Sequence, residues 1–428
     1  MWPTPRLGSS AKDAGTIVVG AGIIGAHIAL ELVRRGERVT LIDAGEPGHG
    51  CSLANAGWLT PCFAMPLPAP GVFRQALRWC LDADSPLRVP PGLAFTHAPW
   101  LLRFALAATP ARFAAGTRAL TELSLLSLQR YQDFAAELAG RGDPGFGFTR
   151  AGLLLACASR DGLQAAHEEL RLAALQGIRG EALDAAAVRR REGALTGALA
   201  GGVYFPDEAH VQPLAAVQAA VREFQRRGGE VRAHEALSGL VTHAGAITHA
   251  ITDRGRIAAR HVVLATGAWS RVLGAQLGVR APILGGKGYS MMAPRLDPHP
   301  RSPLMLLERK VAVTPYADGT RIAGTLELVA RDDGVSPRRV AAIVRAARQA
   351  LALPESAALT PAWHGLRPCT PDGLPIIGRA PRYANLTVAA GHQMLGLQTA
   401  PGTALLAADL VLGTPSVVDP APFRAERF

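Results

Sequence analysis

The stretch Thr16-Ile-Val-Val-Gly20-Ala-Gly22-Ile-Ile-Gly25, continued by a helical run to Arg35 and by Arg38-Val-Thr-Leu-Ile-Asp43, decides the fold. Thr16 to Val19 is a short β-branched run suited to a buried parallel strand. Ile23 to Arg35 places apolar residues at helical spacing and stops at Gly36, and Arg38 to Ile42 is a second short strand. The segment therefore reads as a βαβ unit. Its three glycines have separate physical tasks. Gly20 permits the tight turn, Gly22 lets backbone approach a pyrophosphate, and Gly25 lets helix and strand pack closely. The helix opens with Ile23 and Ile24, and N–H groups at a helix start are suited to phosphates. Asp43 ends the second strand, where a carboxylate accepts hydrogen bonds from ribose hydroxyls and repels a 2′-phosphate. A dinucleotide site without the extra phosphate follows.

The 428 residues suit two interleaved domains rather than one core. Net charge is +11, which raises nucleic acid as a partner. Lysine occurs only at Lys12, Lys287 and Lys310, and the many arginines are dispersed apart from short clusters such as Arg189-Arg190-Arg191. No nucleic-acid surface is expected from that scatter. Cys51, Cys62, Cys80, Cys157 and Cys369 show no CxxC spacing, which fits a reducing, cytoplasmic setting and no metal site. Met1 to Ala14 lacks the charged-then-apolar order of a signal peptide. Within Thr16 to Val33, the glycines, His27 and Glu31 argue against a membrane span.

Beyond the βαβ unit, Pro61 to Pro110 is proline-dense and reads as an excursion of loops and short helices. It is either a lid or an apolar surface for peripheral membrane association. Helices are expected over 111–138, 161–175, 213–227 and 337–351, a strand over 147–156, and a β-rich block over 282–328. The fold class expected is α/β, a Rossmann-like nucleotide domain interleaved with an α+β substrate domain on an antiparallel sheet. The nucleotide domain takes residues 14–80, 195–280 and 352–428; the substrate or lid domain takes 81–194 and 281–351.

Two further segments select FAD over NAD. In His49-Gly-Cys-Ser52-Leu-Ala-Asn55-Ala56-Gly57, small residues let backbone and the Ser52 hydroxyl approach a long, bent cofactor beyond its pyrophosphate. Val262-Val-Leu-Ala-Thr266-Gly267-Ala-Trp269-Ser270 is an apolar strand ending in a small-residue turn, like the strand that closes over the cofactor in flavoproteins. Leu237, in the strand-like pieces before it, joins the cofactor-binding candidates. Near the C-terminus, Gly391-His392-Gln393-Met394-Leu395-Gly396 precedes a helix expected from Pro401 to Leu412. A loop opening a helix offers backbone donors and partial positive charge, suited to the negative charge that grows on a flavin pyrimidine ring. His392 reads equally as a chemical participant or as a loop histidine with a structural hydrogen bond.

These pieces, with Met65-Pro-Leu-Pro-Ala-Pro-Gly71, Gly286-Lys-Gly-Tyr-Ser290, Gly365-Leu-Arg-Pro368 and Thr370-Pro-Asp-Gly-Leu-Pro-Ile-Ile-Gly378, span nearly the whole sequence. In that order the sequence resembles the D-amino-acid oxidase-like flavoproteins, and within them the bacterial D-amino acid dehydrogenases. The resemblance implies oxidation of a D-amino acid to an imino acid by hydride transfer to flavin N5, so that orientation and electrostatics carry the catalysis. Arg367 matches the arginine that grips the substrate carboxylate, for which a planar guanidinium is suited. Tyr289 matches a tyrosine facing the flavin, or else packs in the core. Lys287 either approaches the flavin or is a strand-end surface lysine. Gln393 and Met394 stand where some amine oxidases of this group carry a second arginine, which leaves room for a bulkier or cyclic amine.

Tyr204-Phe-Pro-Asp207 to His210-Val-Gln-Pro213 and the end at Phe428 resemble the D-hydroxyproline dehydrogenases that consist of one polypeptide, which makes cis-4-hydroxy-D-proline or D-proline candidate substrates. A quinone or other carrier would accept the electrons. The rival readings are an amine oxidase of the glycine or sarcosine type and a non-catalytic FAD-carrying subunit.

Overall fold

The computed structural model describes residues 14–72, 87–88, 91–329, 332 and 334–428. The expected boundary at 80/81, Cys80, Lys12 and most of the N-terminal segment lie outside them. The protein forms two compact units, the first from residues 1–53, 214–284 and 368–428, the second from 54–213 and 285–367.

The first unit is built on a parallel-rich sheet. Its strands are β1 (Gly15–Val19), β2 (Val39–Ile42), β9 (Glu230–Arg232), β10 (Leu237–His243), β11 (Ala246–Thr252), β12 (Gly255–Leu264), β18 (Ile376–Arg379) and β19 (Leu386–Ala390). The order is β10-β11-β12-β1-β2-β9, with β19 also on β12 and β18 on β19. Strand β12 serves two sheet regions. Its first half pairs antiparallel with β11, while its second half runs parallel to β1 and to β19. Ile17, Val19, Ile42, Val262, Leu264, Leu386 and Val388 bury together here, the continuous apolar pattern of strands covered on both faces. Helix α1 (Ile23–Arg34) crosses from β1 to β2 and packs against α10 (Gly396–Leu412). Helices α7 (Pro213–Arg226) and α8 (Ser270–Leu277) belong to the same segments.

The second unit carries a largely antiparallel sheet in the order β17-β13-β16-β15-β14-β5-β7-β6, with β4 beside β16. The strands are β4 (Leu87–Arg88), β5 (Leu153–Cys157), β6 (Glu181–Asp184), β7 (Gly201–Phe205), β13 (Leu284–Ala293), β14 (Leu304–Leu306), β15 (Val311–Tyr316), β16 (Gly319–Val329) and β17 (Trp363–Cys369). A separate pair joins β3 (Trp58–Leu59) to β8 (Ala209–His210). Helices α2 (Pro91–Thr96), α3 (Ala98–Ala107), α4 (Pro110–Ala139), α5 (Arg160–Ala174), α6 (Ala185–Arg191) and α9 (Pro337–Ala350) complete it. Its main core gathers Leu154, Tyr289, Met291, Val313, Ile322 and Ile343.

The mixed α/β class is as expected from sequence. Residues 54–72, 195–213 and 352–367 lie in the second unit, where β7 pairs with β5 and β6, and β17 with β13. The strand expected over 147–156 shortens to β5; before it only Thr149 makes an isolated bridge, to His210. Helix α10 starts at Gly396, and Pro401 lies inside it rather than at its first turn. No described helix is long and apolar enough to cross a membrane.

Candidate active site

Three loops of the first unit emerge at the carboxyl ends of neighbouring parallel strands. Gly20 follows β1, Thr266 and Gly267 follow β12, and Gly391 follows β19. In open α/β sheets ligands bind in the crevice outside the carboxyl ends of the strands. Local sterics fix the first loop. Gly20 has φ +100°, and a Cβ there would stand 2.6 Å from the Ala265 carbonyl oxygen. A Cβ on Gly25 would stand 1.8 Å from the Gly20 carbonyl oxygen, so no side chain is compatible with this turn. Gly22 is different: an added Cβ would meet only the Ser52 hydroxyl, at 3.4 Å. Gly22 caps α1 without any side-chain cap bond, and the first turn has no acidic residue. Ile23 donates its N–H to Ser52 Oγ at 3.1 Å, which draws that loop to the helix start; Ile24 follows on the buried face.

Asp43 accepts from the Ala21 N–H at 2.6 Å and from the Gly45 N–H at 2.8 Å. The carboxylate thus braces the glycine loop while standing at the end of β2. The backbone at 232–235 runs alongside it: Asp43 N–H donates to the Arg232 carbonyl and Glu235 N–H to the Asp43 carbonyl. Sequence reading missed that wall, whose signal is only the short strand β9. Leu237, two residues on, opens β10 in the edge hairpin and pairs with Thr252. The structure brings Arg232 to Glu235, not Leu237, to Asp43.

Thr266 Oγ1 and Ser270 Oγ share a hydrogen bond of 2.9 Å, and Ala265 N–H donates to the Val19 carbonyl, tying this turn to the end of β1. Trp269 is 56% exposed, with its ring beside Gly50. Gly391 has φ +85° and packs against Thr370. His392 is buried, its Nε2 within 3.1 Å of Thr403 Oγ1, and burial pushes it down to about 3. Burial therefore favours the neutral ring. Gln393 has φ +52°, donates its N–H to the Pro368 carbonyl, and is 5% exposed. Neither Nε2 nor Oε1 of its amide has a hydrogen-bond partner among the described residues. Gly396 opens α10.

The segment Ser52 to Gly57 is shared between the units. Ser52 holds the helix start, whereas Ala54, Asn55 and Ala56 offer their carbonyls to the second unit's sheet. Ser290 and Thr314 hydroxyls and the Arg321 guanidinium donate to them, and Gly57 N–H bonds Asn55 Oδ1.

In the second unit, Arg367 is half-buried on β17 and donates from Nη1 to the Thr325 carbonyl at 2.8 Å. Tyr289 is 1% exposed, and its hydroxyl donates to Glu327, whose other oxygen lies 3.7 Å from Arg339. Burial, then Glu327, push the phenol above its ordinary range. Lys287 is buried, which excludes the surface one of its two readings, and donates to the Gly334 carbonyl at 2.9 Å, because β13 is an inner strand of its sheet.

Residues 16–410 match the family model described as FAD dependent oxidoreductase. The protein belongs to this family, and its cofactor is FAD. It is 31% identical over 425 residues to a D-amino acid dehydrogenase of Chromohalobacter salexigens, covering 96% of this sequence and 99% of that one. It is 32% identical over 434 residues to a D-amino acid dehydrogenase of Paramagnetospirillum magneticum, covering 96% and 98%. Among solved structures, glycine oxidase from Geobacillus kaustophilus aligns with a TM-score of 0.79 and 25% identity over 97% of this protein and 98% of that one. L-proline dehydrogenase from P. horikoshii shares the fold, with a TM-score of 0.77 and 17% identity over 97% of each protein.

The residues of the first unit fit FAD. The side-chain-free position of Gly22 at a helix start whose first turn has no acidic residue is suited to a pyrophosphate. The buried Gln393 amide carries a donor and an acceptor that nothing among the described residues satisfies, and a buried polar group needs a partner. The imide edge of a flavin has the complementary pair.

Proposed function

We propose that this protein is an FAD-dependent dehydrogenase that oxidises a D-amino acid to the corresponding imino acid. The observation that carries the reading is Arg367, a half-buried guanidinium on β17 held by a backbone carbonyl. A planar cation so restrained suits a carboxylate. The names of the relatives support the D-amino acid class. FAD, when bound, accepts the hydride from the substrate Cα. The residues would do the rest: α1 and Ser52 would hold the pyrophosphate, Asp43 the ribose, and the Gln393 amide the flavin edge. Arg367 binds the carboxylate and orients Cα. The amine gives up a proton as its lone pair forms the C=N bond, so no side chain needs to act as a strong base. Gln393 and Met394, in place of a second arginine, leave room for a cyclic amine, so cis-4-hydroxy-D-proline and D-proline are the first substrates to try.

Anaerobic addition of a D-amino acid panel, followed at the flavin absorbance, tests this. At least one D-amino acid bleaches the flavin within the mixing time, and its L-form does not. A yellow protein that no amino acid bleaches would be an FAD carrier without this activity. Arg367→Ala raises KM by roughly a hundredfold with FAD retained, as for loss of a charge-assisted carboxylate contact. The likeness to glycine oxidase favours a second reading, an amine oxidase, which rapid peroxide formation in air would establish.

For the electron acceptor we propose a quinone reached at a membrane surface. The described part of the proline-rich excursion exposes Leu102 (61%) and Leu106 (60%) on α3, beside Arg103. Co-sedimentation with anionic vesicles that Leu102→Asp abolishes checks this; no sedimentation removes it.

A further inference from the structure

Strands β13 and β16 do not pair without interruption. Gly285, Gly286 and Lys287 face Val329, Leu328 and Glu327, and the ladder resumes with Tyr289 facing Gly324. Between these runs the register shifts, so that Gly288 alone stands opposite Thr325 and Leu326. This is a β-bulge, a device that re-aims a strand's groups. Thr325 takes it up with φ +67°, a conformation that a β-branched residue adopts only under strain. The carbonyl of that strained residue is the acceptor for Arg367 Nη1. On the facing strand, a Cβ on Gly288 would lie 2.2 Å from Nη1, 2.4 Å from Nη2 and 2.5 Å from Cζ of Arg367. The end of the guanidinium therefore rests directly against the Gly288 backbone.

We propose that Gly288 and Thr325 are positioning residues for Arg367. The bulge turns the Thr325 carbonyl to hold the guanidinium, and the bare Cα of Gly288 makes the seat in which it rests. The inference depends on the reading of Arg367 as the carboxylate-binding residue. It adds that the glycine in Gly286-Lys-Gly-Tyr-Ser290 is required by an arginine far away in sequence, not by its own backbone, since Gly288 has no positive φ. Its nearest obstacles are side-chain atoms, so an alanine there displaces the guanidinium more readily than the strand.

The test is a double-mutant cycle on the FAD-loaded enzyme with the D-amino acid that reduces it: parent, Gly288→Ala, Arg367→Ala and the pair. Gly288→Ala is expected to raise KM by about tenfold or more, with kcat changed far less and with FAD content and Tm kept. On the Arg367→Ala background the same change is expected to alter KM by less than about twofold, because its effect runs through the guanidinium. A purely structural glycine would lower Tm in both backgrounds and would not split KM from kcat. If Gly288→Ala alone fails to fold but the pair folds, the guanidinium is the obstacle and the proposal stands. If neither folds, or if Gly288→Ala raises KM equally in both backgrounds or not at all, it is overturned. Unchanged KM in Arg367→Ala itself would instead bring down the carboxylate reading, and this inference with it.

Discussion

At the scale of single residues, the glycine loop separates two requirements that a motif writes with the same letter. Gly25 has no space for a methyl group, and Gly22 has space until a phosphate arrives. Gly25→Ala should therefore give an unstable, colourless protein. Gly22→Ala should fold with an apoprotein Tm near the parent's and bind FAD weakly; titration of apoprotein with FAD distinguishes the two. Gln393→Leu removes an amide without partners among the described residues, so it should weaken FAD binding and shift the flavin spectrum while leaving the apoprotein Tm unchanged or higher. A fluorescence titration identical to the parent's would mean that ordered water, not the flavin, meets this amide. The glycine spacing was legible in the sequence because its steric cause is local. The places of Tyr289, Lys287 and His392 were not, because their partners Glu327, Gly334 and Thr403 come from other elements and burial is a property of the assembled sheet.

At the scale of elements, the βαβ unit was readable because strand and helix periods change within one segment. Helix α10 was misread at its start. Proline at 401 signals a first turn, yet the helix begins at Gly396 because most of it is buried and packs against α1, and packing outweighs propensity. The two helices are also tied by Arg35, which bonds Glu31 and Asp409 at 2.8 and 2.6 Å. Arg35→Ala leaves the buried Asp409 carboxylate with the Thr414 hydroxyl but no arginine. A loss of about 1–3 kcal/mol in denaturant unfolding is expected, less than for a fully buried pair since Arg35 is partly exposed. The bulge in β16 left no mark in the sequence, where Gly324-Thr-Leu-Glu327 reads as plain strand. Thr325→Gly keeps the carbonyl and relieves the left-handed strain; a stability gain of about 1 kcal/mol is expected, seen as a raised Tm.

For the whole molecule, buried titratable groups set the response to pH. His210 and His261 are pushed down to about 4 and His392 to about 3, in each case first by burial. Below their ordinary 6.5 the unfolded protein takes up protons that the folded protein refuses, so their contribution is lost as pH falls towards those values. Glu208 runs the other way. Burial pushes it up to about 8, and between its ordinary 4.5 and that value the folded protein keeps a proton that the unfolded one releases. Its contribution is lost as pH rises through 8. Buried Cys157, pushed up to about 12, adds a further loss above 9.0. Tm should be highest at mildly acidic pH and fall on both sides. Glu208→Gln should flatten the decline between 6.5 and 8 and steepen the acid-side fall between 6.5 and 4.5, where Glu208 opposes the histidines; an unaltered decline would exonerate Glu208.

The pairing of β1 with β12 and of β12 with β19 also has a consequence for synthesis. β1, α1 and β2 are synthesised long before their partners, since Thr16 has to find His261, and Val262 has to find Leu386. At about 5–20 residues per second, the nascent βαβ segment waits on the order of ten seconds or more with an open apolar edge. Such an edge invites pairing with other polypeptides. The yield of active protein should depend on holding that edge during translation, so chaperone co-expression and slower growth should raise it more than added FAD does.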